Sequence, residues 1–209
     1  MDVSEACEVL AGWDGRMDVD SRGALLFDRY WQRVDAATGG DETALWLVPF
    51  SPEDPVHTPN TLADGPVVST ALADAVSELE SAAIPLDAAL GDHQYVERNG
   101  KRIPLGGGGG GERGVLGVFN LVDLTFSPEH GYTDPVTGSG YLHVVQFDGT
   151  PCPDAVTLLT YSQSSEPSSP HYADQTALYS RKGWVRDRFC ERDILASPAF
   201  ESEFVLNDD

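Results

Sequence analysis

An Asn-Gly pair near the middle of the chain constrains the fold more than any other local feature. Asn99-Gly100 lies between the segments 95–98 (YVER) and 101–103 (KRI). Both residues accept the positive φ angles of a type I′ turn, and this turn has the twist that joins two antiparallel strands. The sequence therefore predicts a tight β-hairpin at 95–103.

Helical patterns precede this hairpin. Segments 4–12 and 20–35 carry apolar residues at helical spacing, and Asp20 or Ser21 is the expected cap of the second helix. A third helix is predicted with Pro66 in its first turn and an apolar stripe along one side.

Strands and a further helix are predicted after the hairpin. Segments 141–147 and 155–161 are typical of strands, and 174–189 is typical of a helix. Three apolar residues of that helix are expected to face inward: Leu178, Val185 and Phe189. Because helices and hairpins occur in runs instead of a regular βαβ alternation, the predicted fold class is α+β.

The chain is strongly acidic. Its 209 residues include 34 Asp and Glu against 13 Lys and Arg, which gives a formal net charge of −21, and Asp outnumbers Glu by 21 to 13. Coulomb repulsion from such a surface argues against binding to nucleic acid or to anionic membranes. This repulsion becomes short-ranged in molar salt, so the excess of Asp and the scarcity of Lys favour a protein adapted to high salt.

The cysteines and histidines give little support to a metal site. Cys7, Cys152 and Cys190 are odd in number, widely spaced and without a CxxC pair, so three thiols are expected, with one bridge as the alternative. The histidines show no metal-binding spacing. His143 lies within an apolar alternation and is expected to be a sheet residue. A cation site is the alternative for one set of residues: His130, Asp123 and Asp134.

No segment has the pattern of a targeting signal or a membrane span. No apolar run approaches the ~18 residues that a membrane-spanning helix needs. Residues 1–15 lack the basic and hydrophobic regions of a signal peptide. We therefore expect a soluble chain without an export signal of its own.

Glycines at 106–111 form the only low-complexity run. Successive backbone amides can bind phosphate, but no Lys-Ser/Thr pair follows and the next residue is Glu112. A flexible or closely packed turn is therefore the preferred interpretation.

A serine-rich run, TYSQSSEPSSPHYADQ, occupies residues 160–175. Its serines, His171 and Asp174 suggest a Ser-His-Asp triad, but no Gly-x-Ser-x-Gly elbow surrounds any of the serines. Ser and Pro are residues of turns, and an Asp before an amphipathic segment is typical of a helix cap. The preferred interpretation is a structural loop whose Asp174 caps the next helix.

Five motifs occur along the chain in a fixed order. They are WDG at 13–15 with DSRGA at 20–24 and Phe27; PF at 49–50 with DP at 54–55 and TP at 58–59; LD at 86–87 with LGD at 90–92 and QY at 94–95; RIPL at 102–105 followed by glycines; and the run at 160–175. Together they resemble the penicillin acylase family of N-terminal-nucleophile amidohydrolases, in the branch of acyl-homoserine lactone acylases and aculeacin-type lipopeptide acylases. Gly106 departs from the family, which often has His there.

This resemblance implies a fold and a mechanism. Residues 1–209 match the C-terminal part of the large subunit, so they are expected to be a single segment of an αββα protein. Family members cut themselves to expose an N-terminal Ser, whose hydroxyl attacks the amide carbonyl while its α-amine acts as base. Because the chain begins Met1-Asp2-Val3, the nucleophile is expected upstream of Met1 and no catalytic residue is expected within the chain.

The resemblance also suggests roles within the run at 160–175. Gln163 is expected to lie where a strand ends beside the catalytic centre. There it would contact the upstream histidine and support it without contacting the substrate. The residues expected to build the structural signature are Ser164, Ser165, His171 and Asp174.

Two functions of different classes follow from the resemblance. The complete enzyme would cleave linear N-acyl amides (acyl-homoserine lactones, lipopeptides or the side-chain acyl groups of β-lactams), with fatty-acyl amides preferred. It would need no cofactor, and this chain would need the upstream acylase segment as its partner. The alternative is a non-catalytic complementing subunit of a split acylase, or a decayed remnant without activity. Full-length relatives are commonly exported.

Overall fold

The computed structural model describes residues 3–39, 45–109, 120–127, 129 and 131–202. The chain divides into two compact units, Met1–Ser139 and Gly140–Asp209, and both combine helices with small antiparallel sheets. The predicted α+β class is confirmed. The αββα arrangement of one larger subunit stays a prediction. None of the described helices is both long and apolar enough to cross a membrane.

The first unit contains four helices and three antiparallel hairpins within the described ranges. Its elements are α1 (Ser4–Gly12), α2 (Ala24–Thr38), β1 (Trp46–Val48), β2 (Asn60–Leu62), α3 (Pro66–Ser81), α4 (Leu90–His93), β3 (Tyr95–Arg98), β4 (Lys101–Pro104), β5 (Val122–Ser127) and β6 (Gly131–Gly138). The hairpins pair β1 with β2, β3 with β4 and β5 with β6.

The core of the first unit lies where α2 packs against α3. Leu25 and Val34 of α2 are fully buried, as is Leu79 of α3, and Val76 is 2% exposed. Burying each such side chain contributes roughly 1.5–3 kcal/mol before entropy is counted. Truncation of Leu25 to Ala would cost about 2–5 kcal/mol because a cavity would remain.

The start of α2 corrects the predicted cap. The helix begins at Ala24, its N-cap is Gly23 with φ 89°, and no side chain caps it, so neither Asp20 nor Ser21 has that role. Ser21 instead accepts a hydrogen bond from the amide of Asp18 at 3.2 Å in the preceding turn. The helix starts later than its pattern predicts because the chain needs the left-handed glycine to turn into it.

The central hairpin is confirmed. Strand β3 pairs antiparallel with β4, and Val96 lies opposite Ile103. Asn99 has φ 50° and Gly100 has φ 71°, as a type I′ turn requires. The hairpin therefore forms where its local sequence specifies it.

The second unit is built on a three-stranded antiparallel sheet. Its elements are β7 (Tyr141–Gln146), β8 (Asp154–Leu159), α5 (Asp174–Ser180), β9 (Val185–Arg186) and α6 (Glu191–Leu195), and the sheet order is β7-β8-β9. The two predicted strands are confirmed within two residues at their ends.

The predicted helix at 174–189 is wrong in its length. Helix α5 ends at Ser180, Lys182 follows with φ 58°, and the amide of Gly183 donates to the carbonyl oxygen of Leu178 at 2.9 Å. This left-handed turn reverses the chain into β9. Val185 and Phe189, which were expected to face inward, are therefore exposed by 40% and 48%.

The expectation of three thiols is also wrong. Cys152 and Cys190 form a disulfide across 38 residues, with their Cα atoms 5.8 Å apart, and Cys7 is an exposed free thiol. The bridge ties the β7–β8 connection to the residue before α6. Because the cross-link restricts the unfolded chain, loss of loop-closure entropy there stabilises the folded state by about 4 kcal/mol.

Candidate functional site

The loop at 160–175 connects β8 with α5 and folds back on itself. The amides of Gln163 and Ser164 both donate to the carbonyl oxygen of His171, at 3.2 and 3.1 Å. The amide of Ser162 donates to the carbonyl oxygen of Leu159 at 3.0 Å, which closes the turn that ends the strand. Backbone bonds therefore fix the shape of the loop.

Ser162 connects this loop to the start of α5. Its hydroxyl oxygen accepts a hydrogen bond from the amide of Thr176 at 3.0 Å and lies 3.0 Å from the Thr176 hydroxyl, which is fully buried. The first amides of a helix have no partner within the helix. Ser162 thus satisfies one of them from outside, while its own φ of 65° lies in the left-handed region.

Asp174 is not the helix cap that its position suggested. It is the first residue of α5, and Ala173 occupies the N-cap position without a side-chain bond. The Asp174 carboxylate accepts from the amide of Gln175 at 2.8 Å and lies 2.9 Å from Nδ1 of His171. Partial burial opposes ionisation, but these two hydrogen bonds outweigh it and lower the pKa of Asp174 below its ordinary value.

Three other serines of the loop form turns. Ser164 accepts from the amide of Glu166 at 3.1 Å, and Ser169 accepts from the amide of His171 at 3.1 Å. Ser168 donates to the carboxylate of Glu166 at 3.2 Å. These contacts are those of local side-chain turns, which use the hydroxyl as a structural group.

The geometry does not form a Ser-His-Asp triad among the described residues. The His171 ring bonds to Asp174 and to no serine of the loop, and its side chain is 61% exposed. Gln163 and Ser165 are exposed. The structure brings His171 and Asp174 together, whereas the role of Gln163 stays a prediction.

Thr160 was missed by the sequence analysis. It follows β8, is fully buried, and its hydroxyl has no hydrogen-bond partner among the described residues. A buried hydroxyl without a partner costs about 1–3 kcal/mol. The inward alternation from Leu158 to Thr160 is the sequence signal that identifies its burial.

The glycines of the DSRGA and LGD motifs lie at close approaches to other segments. A Cβ atom on Gly23 would lie 2.9 Å from Cβ of Trp13, whose ring in turn packs 4.8 Å from that of Phe27. A Cβ atom on Gly91 would lie 2.9 Å from the carbonyl oxygen of Val19. These motifs therefore join separate segments of the first unit.

Gln94 holds the beginning of the glycine-rich turn. It is 3% exposed, and its side-chain amide donates to the carbonyl oxygens of Leu105 and Gly107, each at 2.8 Å. The Gly107 amide also donates to the carbonyl oxygen of Met17 at 2.7 Å. Close packing is thus confirmed at the start of the run, while residues 110 and 111 lie outside the described residues.

A buried charge network in the first unit was not predicted. Arg29 donates to both carboxylate oxygens of Glu78 at 2.7 and 2.9 Å, and Nη2 of Arg33 lies 2.9 Å from the same carboxylate. The hydroxyl of Tyr132 donates to Asp28. Burial, followed by the neighbouring Asp28 carboxylate, raises the pKa of Tyr132 well above its ordinary value, so the hydroxyl remains a donor. The network joins α2, α3 and β6.

The histidines do not converge on a cation site within the described residues. No group of three His, Cys, Asp or Glu side chains there has the arrangement of metal ligands. His143 lies in β7 opposite Thr157, which confirms it as a sheet residue, and its Nε2 is 3.3 Å from Asp187. His130, from the alternative cation site, lies outside the described residues.

Comparison with known proteins identifies the family. The profile of the penicillin amidase family matches residues 1–196. The acyl-homoserine lactone acylase PvdQ of Pseudomonas syringae pv. syringae is 38% identical over 97% of this chain and 25% of its own length. The aculeacin-A acylase of Actinoplanes utahensis is 40% identical over 95% of this chain and 23% of its own length.

The chain belongs to the penicillin amidase family. It spans about a quarter of the length of the curated relatives it matches.

Proposed function

We propose that this chain forms the C-terminal part of the large subunit of an acylase that hydrolyses linear N-acyl amides. The family match across residues 1–196 carries this proposal. In the proposed mechanism an N-terminal serine attacks the amide carbonyl, and its α-amine accepts the proton. That serine belongs to the part of the acylase outside this chain, which is therefore inactive alone.

The contacts of the 160–175 loop support a scaffold role. The hydroxyls of Ser162, Ser164 and Ser169 accept backbone amides, and Ser168 bonds to a carboxylate. A nucleophile needs a base within hydrogen-bond reach of its hydroxyl. Ser162, Ser164 and Ser169 have backbone partners instead. Ser168, whose partner is the carboxylate of Glu166, lies with it in an exposed turn.

The names of the relatives support a substrate class. Two of them act on an acyl-homoserine lactone and on aculeacin A, as their names state. Both names specify an acylase, which supports an N-acyl amide as the substrate of the complete enzyme. The fatty-acyl preference rests on the resemblance of the 160–175 run to this branch of the family.

Gln163 is the residue through which the loop would assist catalysis. Backbone bonds hold it at the strand exit, and its side chain is exposed and therefore available to another segment. In the complete enzyme, the side chain of Gln163 would contact the upstream histidine of the catalytic centre.

The activity is tested with a hybrid acylase in which this chain replaces the aligned segment of the aculeacin-A acylase. The isolated chain should not release fatty acid from an N-acyl amide, and the hybrid should. Turnover by the isolated chain that disappears in Ser164→Ala or Ser165→Ala would contradict the proposal.

The role of Gln163 is tested in the same hybrid. Gln163→Ala should lower kcat at least tenfold and change the Tm little, because its side chain is exposed within this chain and does not support the fold of the loop. Gln175→Ala is the matched control: its Oε1 accepts the amide of Leu159 at 2.8 Å, so it should lower the Tm instead. Wild-type turnover in Gln163→Ala would make the loop purely structural.

A further inference from the structure

The segment from Trp46 to Leu62, here called the arm, exposes large apolar side chains. It consists of β1, β2 and the connection between them. Its four most exposed large apolar residues are Leu47 at 64%, Val48 at 41%, Phe50 at 60% and Val56 at 84%. Several large apolar side chains exposed on one short segment are a feature of interaction sites on soluble proteins.

The connection of the arm is ordered by its own hydrogen bonds. The Thr58 hydroxyl accepts from the amide of Ser51 at 2.9 Å and donates to the carbonyl oxygen of Asp54 at 2.6 Å. The Asp54 carboxylate lies 2.7 Å from Nδ1 of His57. The side-chain amide of Asn60 donates to the carbonyl oxygen of His57 at 2.8 Å. The apolar side chains are thus presented by a defined backbone.

The base of the arm is attached to the first unit. Leu45 is 5% exposed, and its carbonyl oxygen accepts from the amide of Ala63 at 2.7 Å. The ring of Trp46 lies 6.0 Å from that of Trp31 on α2. An isolated two-stranded hairpin is marginally stable in water, so the arm depends on this attachment. Because the arm is already ordered, it loses little conformational entropy on binding, and its exposed apolar side chains are suited to that role.

We propose that the arm is a docking element whose occupant is the remainder of the acylase polypeptide. This inference rests on the proposed function. The chain spans only about a quarter of its relatives, so most of the surface available to cover the arm belongs to the other three quarters. Phe50 and Val56 insert into an apolar site on that polypeptide, and Thr58 holds them in place.

The test measures binding of this chain to the aculeacin-A acylase from which the aligned segment has been deleted. Phe50→Asp and Val56→Asp should each weaken the Kd at least tenfold. Thr58→Val should also weaken it, because it removes the bonds that order the connection without changing the exposed apolar residues. Thr70→Asp, which adds the same charge at an exposed position of α3, should change the Kd less than twofold.

The docking role would be overturned by no binding of the wild-type chain, by wild-type affinity in both Asp variants, or by dimerisation of the isolated chain that both variants abolish in sedimentation. Turnover of an N-acyl amide by the assembled complex is recorded separately. Arm-dependent binding without turnover would contradict the proposed function alone, and turnover unaffected by the arm variants would contradict the docking role alone.

Discussion

Ser162 illustrates how one side chain can connect two elements. Its hydroxyl is the acceptor for an amide in the first turn of α5 and contacts the buried Thr176. We predict that Ser162→Ala lowers the free energy of unfolding by about 1 kcal/mol, the usual cost of losing a helix-capping hydroxyl. Urea unfolding monitored by circular dichroism measures the change.

Ser162→Gly is the control for this prediction. It loses the same hydroxyl, but glycine accepts the φ of 65° without strain. The Gly variant should therefore be more stable than the Ala variant. Equal stability of Ser162→Ala and the wild type would show that the hydroxyl does not support the helix.

Local sequence rules assigned the cap to the wrong residue for a physical reason. Asp174 precedes an amphipathic segment, which is the usual pattern, but it became the first helical residue and bonds to Gln175 and His171. The acceptor is Ser162, which a folded loop brings to the helix. The charge network around Arg29 was missed for the same reason, because its partner Glu78 lies on another helix.

The β3–β4 hairpin is the element whose sequence determines it most directly. Gly100 has φ 71°, and nothing lies within 4 Å of the position of an added Cβ. We therefore predict that Gly100→Ala costs about 1–2 kcal/mol through backbone strain alone. Thermal unfolding followed by calorimetry provides the measurement.

Gly12 is the matched control for Gly100. It is the last residue of α1, its surroundings are equally open, and its φ is not in the left-handed region. Gly12→Ala should be neutral or slightly stabilising, since Ala has the higher helix propensity. A loss of similar size in both variants would argue against strain at Gly100.

Elements determined by tertiary contacts were harder to predict than this hairpin. Residues 174–189 have a continuous helical pattern, yet the left-handed Lys182 ends the helix and leads into β9, which pairs with β8. Likewise, no local rule indicated that Cys152 would meet Cys190 across 38 residues. The motifs predicted the family correctly, whereas the contacts of the loop at 160–175 required the structure.

The charge of the whole molecule is the property that local structure explains least. Surface ion pairs such as that between Arg186 and Asp154 are exposed to solvent, and each such pair contributes about 0–1 kcal/mol to stability. They cannot offset an excess that leaves a formal net charge of −21. The repulsion among the remaining carboxylates therefore opposes the compact state wherever it is not screened.

We predict that the Tm rises from dilute buffer to molar KCl. The Debye length falls from roughly 30 Å at 0.01 M to about 3 Å at 1 M, so repulsion between separated carboxylates is lost while buried pairs such as Arg29 with Glu78 are screened much less.

Salt also strengthens apolar burial, and a charge-reduced variant separates the two effects. Asp74→Asn, Glu80→Gln and Glu97→Gln combined remove three exposed carboxylates. This variant should have a higher Tm in dilute buffer and a smaller rise in KCl, and an unchanged or lower wild-type Tm in KCl would contradict adaptation to high salt.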